Sequence, residues 1–185
     1  MIKENFVYID DYGLLGSNFY WRKGIEIGIS KEDLAKVGLY DERVLVHKDI
    51  VPSLKSADKE LQSKDCRLYV TEGYRSQELY SLVEKKMKEK IGEIDTGRML
   101  NITDMPHATG KSVDVALWKN DKKIILHDKK DGVDGYFVDF YKQSNKNYQQ
   151  LQEMLIGIMQ DKGFRLGKKR EYFHFNYDPV LPRNY

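Results

Sequence analysis

A single cysteine, Cys66, in 185 residues excludes an intramolecular disulfide and a thiolate zinc cluster, and it fits a reducing compartment. No apolar run approaches the roughly 18 residues of a membrane span. Charge of one sign is missing as well. Lysine and arginine number 31 against 29 acids, and the resulting net charge of +2 demands neither nucleic acid nor an anionic membrane as partner. Repeats and low-complexity linkers are absent. The opening residues, Met1-Ile-Lys-Glu-Asn-Phe, bring an acid early and no apolar stretch, so no export signal is read and a cytoplasmic protein is expected. A small molecule is the expected partner, and nothing in the sequence fixes an oligomeric state.

What is present suits an ordered globule: 41% hydrophobic and 12% aromatic residues can fill one core, so one domain over 1–185 is expected. The first ~45 residues mix aromatics and glycines without a helical period and read as short strands and loops. Ser30-Lys31-Glu32-Asp33 opens a short helix in capping-box style. A helix over 47–63 carries Ile50, Leu54, Ala57 and Leu61 on one face, with Pro52 in its first turn. Residues 66–74 alternate as a strand, and Ser76 caps a helix to about Ile91, which puts Arg75 at a strand-to-helix turn. A strand over 110–118 sends Val113, Val115 and Leu117 one way and Ser112, Asp114 and Ala116 the other. Residues 119–135 read as a solvated hairpin or loop, 147–162 as a helix closed by Gly163, and 172–177 as a last strand. Strands and helices that do not alternate predict an α+β fold with a small, mainly antiparallel sheet and flanking helices.

Two segments about sixty residues apart, His107-x6-Asp114 and Glu171-x2-His174, carry the chemistry. Two imidazoles and a carboxylate (His107, Asp114, His174) can hold one zinc ion and leave a fourth position open, as a catalytic rather than a structural site requires. On a regular strand, residues three apart face opposite sides. Glu171 therefore shares the site with His174 only if the strand begins after it. There it can act as general base and acid toward water and a leaving amine. Arg75 at its strand end can stabilise the oxyanion of amide hydrolysis. The helical His-Glu-x-x-His arrangement is absent, which excludes a thermolysin-like scaffold.

These elements resemble the zinc D-alanyl-D-alanine peptidases, in particular the VanX-like D-alanyl-D-alanine dipeptidase branch. Glu72-Gly-Tyr-Arg75, His107-Ala-Thr-Gly-Lys-Ser-Val-Asp114, Val138-Asp-Phe140 and Gly163-Phe164 with Glu171-Tyr-Phe-His174 follow in the order that family shows. The resemblance implies zinc bound by His107, Asp114 and His174, Glu171 as catalytic base, Arg75 at the transition-state oxygen and Asp139 at the substrate's amine. It also implies a compact fold shared with hedgehog-like zinc proteins. The chain departs from the pattern at Met105, where the family usually has a serine that helps bind substrate, and at Ser76, Ser112 and Tyr172-Phe173.

Plainer roles compete residue by residue. Arg75 can neutralise Glu72 or Glu78, Asp114 can cap a turn, and Glu171 follows three basic residues as a surface charge would. Asp139 lies in an acid-rich loop, Cys66 reads as core, and His47 and His127 read as surface or capping residues. The functional expectation is a zinc dipeptidase for D-alanyl-D-alanine or a similar short peptide containing D-amino acids. The alternatives are a D,D-carboxypeptidase or endolysin-type peptidase on cell-wall stem peptides, and a non-catalytic zinc-binding module.

Overall fold

A computed structural model describes residues 4–179. In chain order the elements are β1 (Phe6–Tyr8), β2 (Leu15–Gly16), α1 (Phe19–Lys23), α2 (Lys31–Lys36), β3 (Leu45–His47), α3 (Val51–Gln62), β4 (Arg67–Glu72), α4 (Gln77–Met99), β5 (Ser112–Lys119), β6 (Lys122–Lys123), α5 (Lys146–Asp161), β7 (Phe164–Leu166) and β8 (His174–Tyr177). The architecture is α+β. One mixed sheet runs in the order β2-β4-β5-β8-β7, with β6 also on β5, and β2–β4 is its parallel pair. Strands β1 and β3 form a separate antiparallel pair.

The apolar pattern explains where each element settles. Leu68 and Val70 of β4 and Val113, Val115 and Leu117 of β5 point to one face of the sheet and are at most 2% exposed. Helix α3 covers that face with Leu54, Ala57 and Leu61, and α5 adds Leu155 and Met159. Each fully buried leucine contributes ~1.5–3 kcal/mol of burial. Asp58 of α3 ties the two layers together by accepting from the Leu68 amide at 2.8 Å and from Arg67 Nε at 2.9 Å. On the other side α4 packs Leu79, Tyr80, Val83 and Met87 against Tyr20, Ile29 and Leu34. The site lies between this second cluster and the polar face of the sheet.

Caps follow the local chemistry. Ser30 completes a capping box with Asp33, Ser76 accepts from the Leu79 amide, and Asn145 caps α5. Helix α3 starts at Val51, after a 3-10 turn over Lys48–Ile50, so its proline sits in the first turn, where no amide partner is lost. Helix α4 runs past the expected end near Ile91 to Met99, because the chain breaks and resumes at Gly92 (φ 81°, ψ 171°), a conformation essentially restricted to glycine. The last strand begins at His174 rather than at 172, because Glu171 to His174 forms a turn in which the Glu171 carbonyl accepts the His174 amide at 3.2 Å. The 119–135 stretch begins as a β5–β6 hairpin whose Asn120-Asp121 turn has φ of 51° and 57°, the primed geometry favoured in hairpins.

Candidate metal centre

Three strands place a row of polar side chains side by side. Asp114 of β5 lies directly opposite His174 of β8, and on its other edge opposite Glu72 of β4. Directly opposed residues share a face, with Cβ atoms about 5 Å apart. Glu72 reaches this face only because β4 carries an irregularity between Val70 and Glu72. Were β4 regular through Thr71, strict alternation would send Glu72 into the apolar core beside Leu68 and Val70.

His107 enters from a 3-10 turn, Pro106–Thr109, bracketed by Met105 (φ 40°) and Gly110 (φ 69°). Its Nδ1 lies 2.7 Å from the Gly73 carbonyl, which can only accept, so Nδ1 carries the proton and the Nε2 lone pair faces the centre. The Gly73 carbonyl can take that position because the residue has no side chain: a Cβ there would stand 2.3 Å from the Leu45 carbonyl oxygen. The His107 amide donates to Tyr80 Oη at 3.0 Å, and the His107 carbonyl accepts from the Arg75 amide at 3.2 Å.

His107 Nε2, His174 Nδ1 and Asp114 Oδ1 then form a triangle with sides of 3.2, 2.7 and 3.4 Å. Tetrahedral bonds of 2.0–2.1 Å to one zinc ion would set such donors roughly 3.3 Å apart. The residues thus form a candidate site for a metal ion, and the donor set fits zinc. Burial alone would raise the Asp114 carboxyl, but the two imidazoles outweigh it and hold it far below the usual carboxylate range. Burial would lower the His107 imidazole, and Asp114 raises it instead. Protons shared in this way leave when a cation takes their place.

Glu171 and Arg75 line the same cavity, of about 640 Å³, as the three donors. Burial first and the charge of Asp114 second push the Glu171 carboxyl up to about 7, which suits a base working near neutrality. Arg75 is 5% exposed and holds Glu72 in two contacts, Nε to Oε1 at 2.9 Å and a terminal nitrogen to Oε2 at 2.7 Å. Its guanidinium also lies 4.4 Å from the Tyr80 ring centre and 5.0 Å from that of Tyr20. The other terminal nitrogen makes no hydrogen bond among the described residues. Burial would lower the Arg75 pKa, yet the Glu72 charge raises it, so the side chain stays a cation.

Asp139 is not brought to this group. It sits at φ 70°, its side chain 54% exposed, with Arg170 as its ionic neighbour at 3.9 Å, and it does not line the cavity. The left-handed turn and the arginine direct it to solvent. Conversely, His127, read from the sequence as a surface or capping residue, lines the cavity and sits 2.8 Å from Tyr172 Oη. Arg22, Lys123 and Tyr136 line it too. No spacing in the sequence ties them to the metal donors.

No protein-family model matches the chain, and neither does any curated protein. Among solved structures it is similar to the vancomycin resistance D,D-dipeptidase VanXYg in complex with a D-Ala-D-Ala phosphinate analog. The two share 18% identity at a TM-score of 0.50, over 93% of this chain and 66% of that one. The chain thus spans about two thirds of the solved structure's length, and at this identity the likeness is one of fold.

Proposed function

We propose that the protein is a zinc-dependent peptidase that hydrolyses D-alanyl-D-alanine or a similar short peptide containing D-amino acids. The observation that carries the proposal is the triangle of His107, Asp114 and His174 donors with Glu171 in the same cavity. The fold likeness to a D,D-dipeptidase that holds a D-Ala-D-Ala analog supports it.

His107, Asp114 and His174 would hold the ion. Bound zinc supplies Lewis acidity toward the scissile carbonyl and toward water. The rest is the work of the chain. Glu171, ionised, takes a proton from the attacking water as the oxygen bonds to the carbonyl carbon. The same carboxyl then returns the proton to the amide nitrogen as the C–N bond breaks. Arg75, fixed by Glu72 and the two tyrosine rings, directs its remaining terminal nitrogen at the oxyanion of the tetrahedral state.

A second reading, removal of the terminal residue from longer cell-wall stem peptides, is favoured by the position of Asp139 outside the cavity lining. A longer peptide offers no free amine at the scissile residue and needs no such carboxylate. The test is release of alanine from D-Ala-D-Ala and from a tripeptide ending in D-Ala-D-Ala, before and after chelation. Chelator-sensitive release from the dipeptide supports the first reading, and preference for the tripeptide supports the second. A zinc-loaded protein inert toward both contradicts the enzyme and leaves a metal-binding module.

A further inference from the structure

Two cations that line the cavity have no anionic partner among the described residues, Arg22 of α1 and Lys123 of β6. The other cations lining it are engaged: Arg75 by Glu72, Lys168 by Asp104, Lys23 by Glu26, and Lys169 by carbonyls at the end of α4. Both free cations stand on the metal-centre face of the sheet. Lys123 is paired in register with Trp118, which shares its face of β5 with Ala116 and Asp114. The Arg22 guanidinium lies 5.9 Å from the Tyr69 ring centre, and Tyr69 is opposite Ala116. Its Nε is anchored on the Ser17 carbonyl at 3.2 Å, which leaves the terminal nitrogens to meet a ligand.

The spacing suits a peptide laid along β5. Ala116 and Trp118 lie about 7 and 13 Å along the strand from Asp114. Lysine and arginine side chains are long enough to meet a carboxylate one or two extended residues, at ~3.5 Å each, beyond the metal donors. The carboxylates lining the cavity are meanwhile committed: Glu72 to Arg75, Asp104 to Lys168 and Asp114 to the imidazoles, with Glu171 as the base. Arg22 and Lys123 both remain exposed to solvent; the desolvation that surrounding protein atoms impose lowers the Lys123 pKa, the like charge of Arg22 lowers it further, and Asp114 opposes them. An arriving anion would relieve that repulsion.

We infer that Arg22 and Lys123 form a carboxylate-binding subsite that selects peptides ending in a free carboxylate. The inference rests on the peptidase reading for its substrate class, and it holds for a dipeptide and for a longer peptide alike.

The test uses the zinc-loaded full chain with Lys123→Met and Arg22→Gln. The probes are N-acetyl-D-Ala-D-Ala, its C-terminal amide, and an amide whose last residue is D-Glu. Each variant should raise KM for the free acid by ~10- to 100-fold, the scale of losing one hydrogen bond to a charged group. Neither should change kcat or the slow turnover of the plain amide. Rescue of the amide by the D-Glu side chain would mean that a carboxylate from either source is accepted, whereas no rescue would restrict the subsite to the terminal carboxylate. Equal losses on acid and amide, or no loss on the acid, would overturn the subsite. Calorimetric titration of acid and amide into Glu171→Gln protein separates the two ideas. Tighter binding of the acid, lost with Lys123→Met, supports the subsite even if the protein hydrolyses nothing. Hydrolysis with no preference for the acid overturns the subsite alone.

Discussion

Arg75 and Glu72 offer a perturbation that separates holding the fold from doing chemistry. The two side chains are 6% and 2% exposed and joined by two short contacts, so removing the arginine leaves a carboxylate buried without its counter-charge. Breaking such a pair from one side costs about 3–5 kcal/mol, whereas replacing both members by apolar groups of similar volume is often close to neutral. For a chain of 185 residues each kcal/mol shifts Tm by about 2–4 °C. Arg75→Met is therefore expected to lower Tm by ~6–20 °C. Glu72→Leu with Arg75→Met should recover more than half of that loss. Turnover should behave differently, because both variants lack the group aimed at the oxyanion, and kcat should stay ~10²- to 10³-fold down in each. Calorimetry of the metal-free proteins and steady-state kinetics of the zinc-loaded ones provide the two readouts. A single variant as stable as the parent, or a double variant whose losses simply add, would refute the buried-pair argument. Recovery of turnover together with stability would refute the catalytic one.

Other outcomes follow from the same geometry. Glu171→Gln should retain zinc and lose ~10²- to 10⁴-fold in kcat, and loss of metal instead would make Glu171 a ligand. The base works ionised, so wild-type kcat should fall as pH drops through the pKa of this carboxyl, which a bound cation would set below the metal-free value of about 7. In the metal-free protein that raised pKa favours the folded state at acidic pH. Stability should therefore decline as pH climbs from about 4.5 to about 7, and the Gln variant should lack that slope. Gly167→Ala would place a Cβ 2.2 Å from His174 Cδ2 and displace the ring, so zinc affinity measured by competition with a chelator should drop ~10- to 100-fold.

How far the sequence foretold this can be argued from particular residues. Alternation around Val113, Val115 and Leu117 put Asp114 on the opposite face, and the structure agrees because a half-buried strand has no other way to divide its side chains. The parity conflict between Glu171 and His174 required a strand that starts late, and the turn ending at His174 supplies it. Glu72 shows the limit. Its position depends on one extra residue in β4 relative to β5, and nothing in Leu68-Tyr-Val-Thr-Glu72 announces a bulge. Nor does the 77–99 periodicity reveal that Gly92 breaks the helix and lets it resume, since an isolated glycine inside a helical pattern is ordinarily tolerated. The cavity's second wall was invisible for a related reason. Arg22 comes from one segment and Lys123 with His127 from another about a hundred residues on, and their meeting with the metal donors is a product of topology rather than of spacing. For Asp139 only the family resemblance implies a place at the substrate, and in the structure the residue sits in a left-handed turn with its side chain 54% exposed.

The account depends most on His107, Asp114 and His174 gripping one ion. The direct measurement is the zinc content of purified protein after exhaustive dialysis, taken on the wild type, on His107→Ala, Asp114→Ala and His174→Ala, and on Glu171→Gln. One zinc per chain in the wild type and in Glu171→Gln, with a fraction of that in each of the other three, is the result this arrangement predicts. Zinc retained at full stoichiometry without either imidazole, or none bound by the wild type, would contradict it.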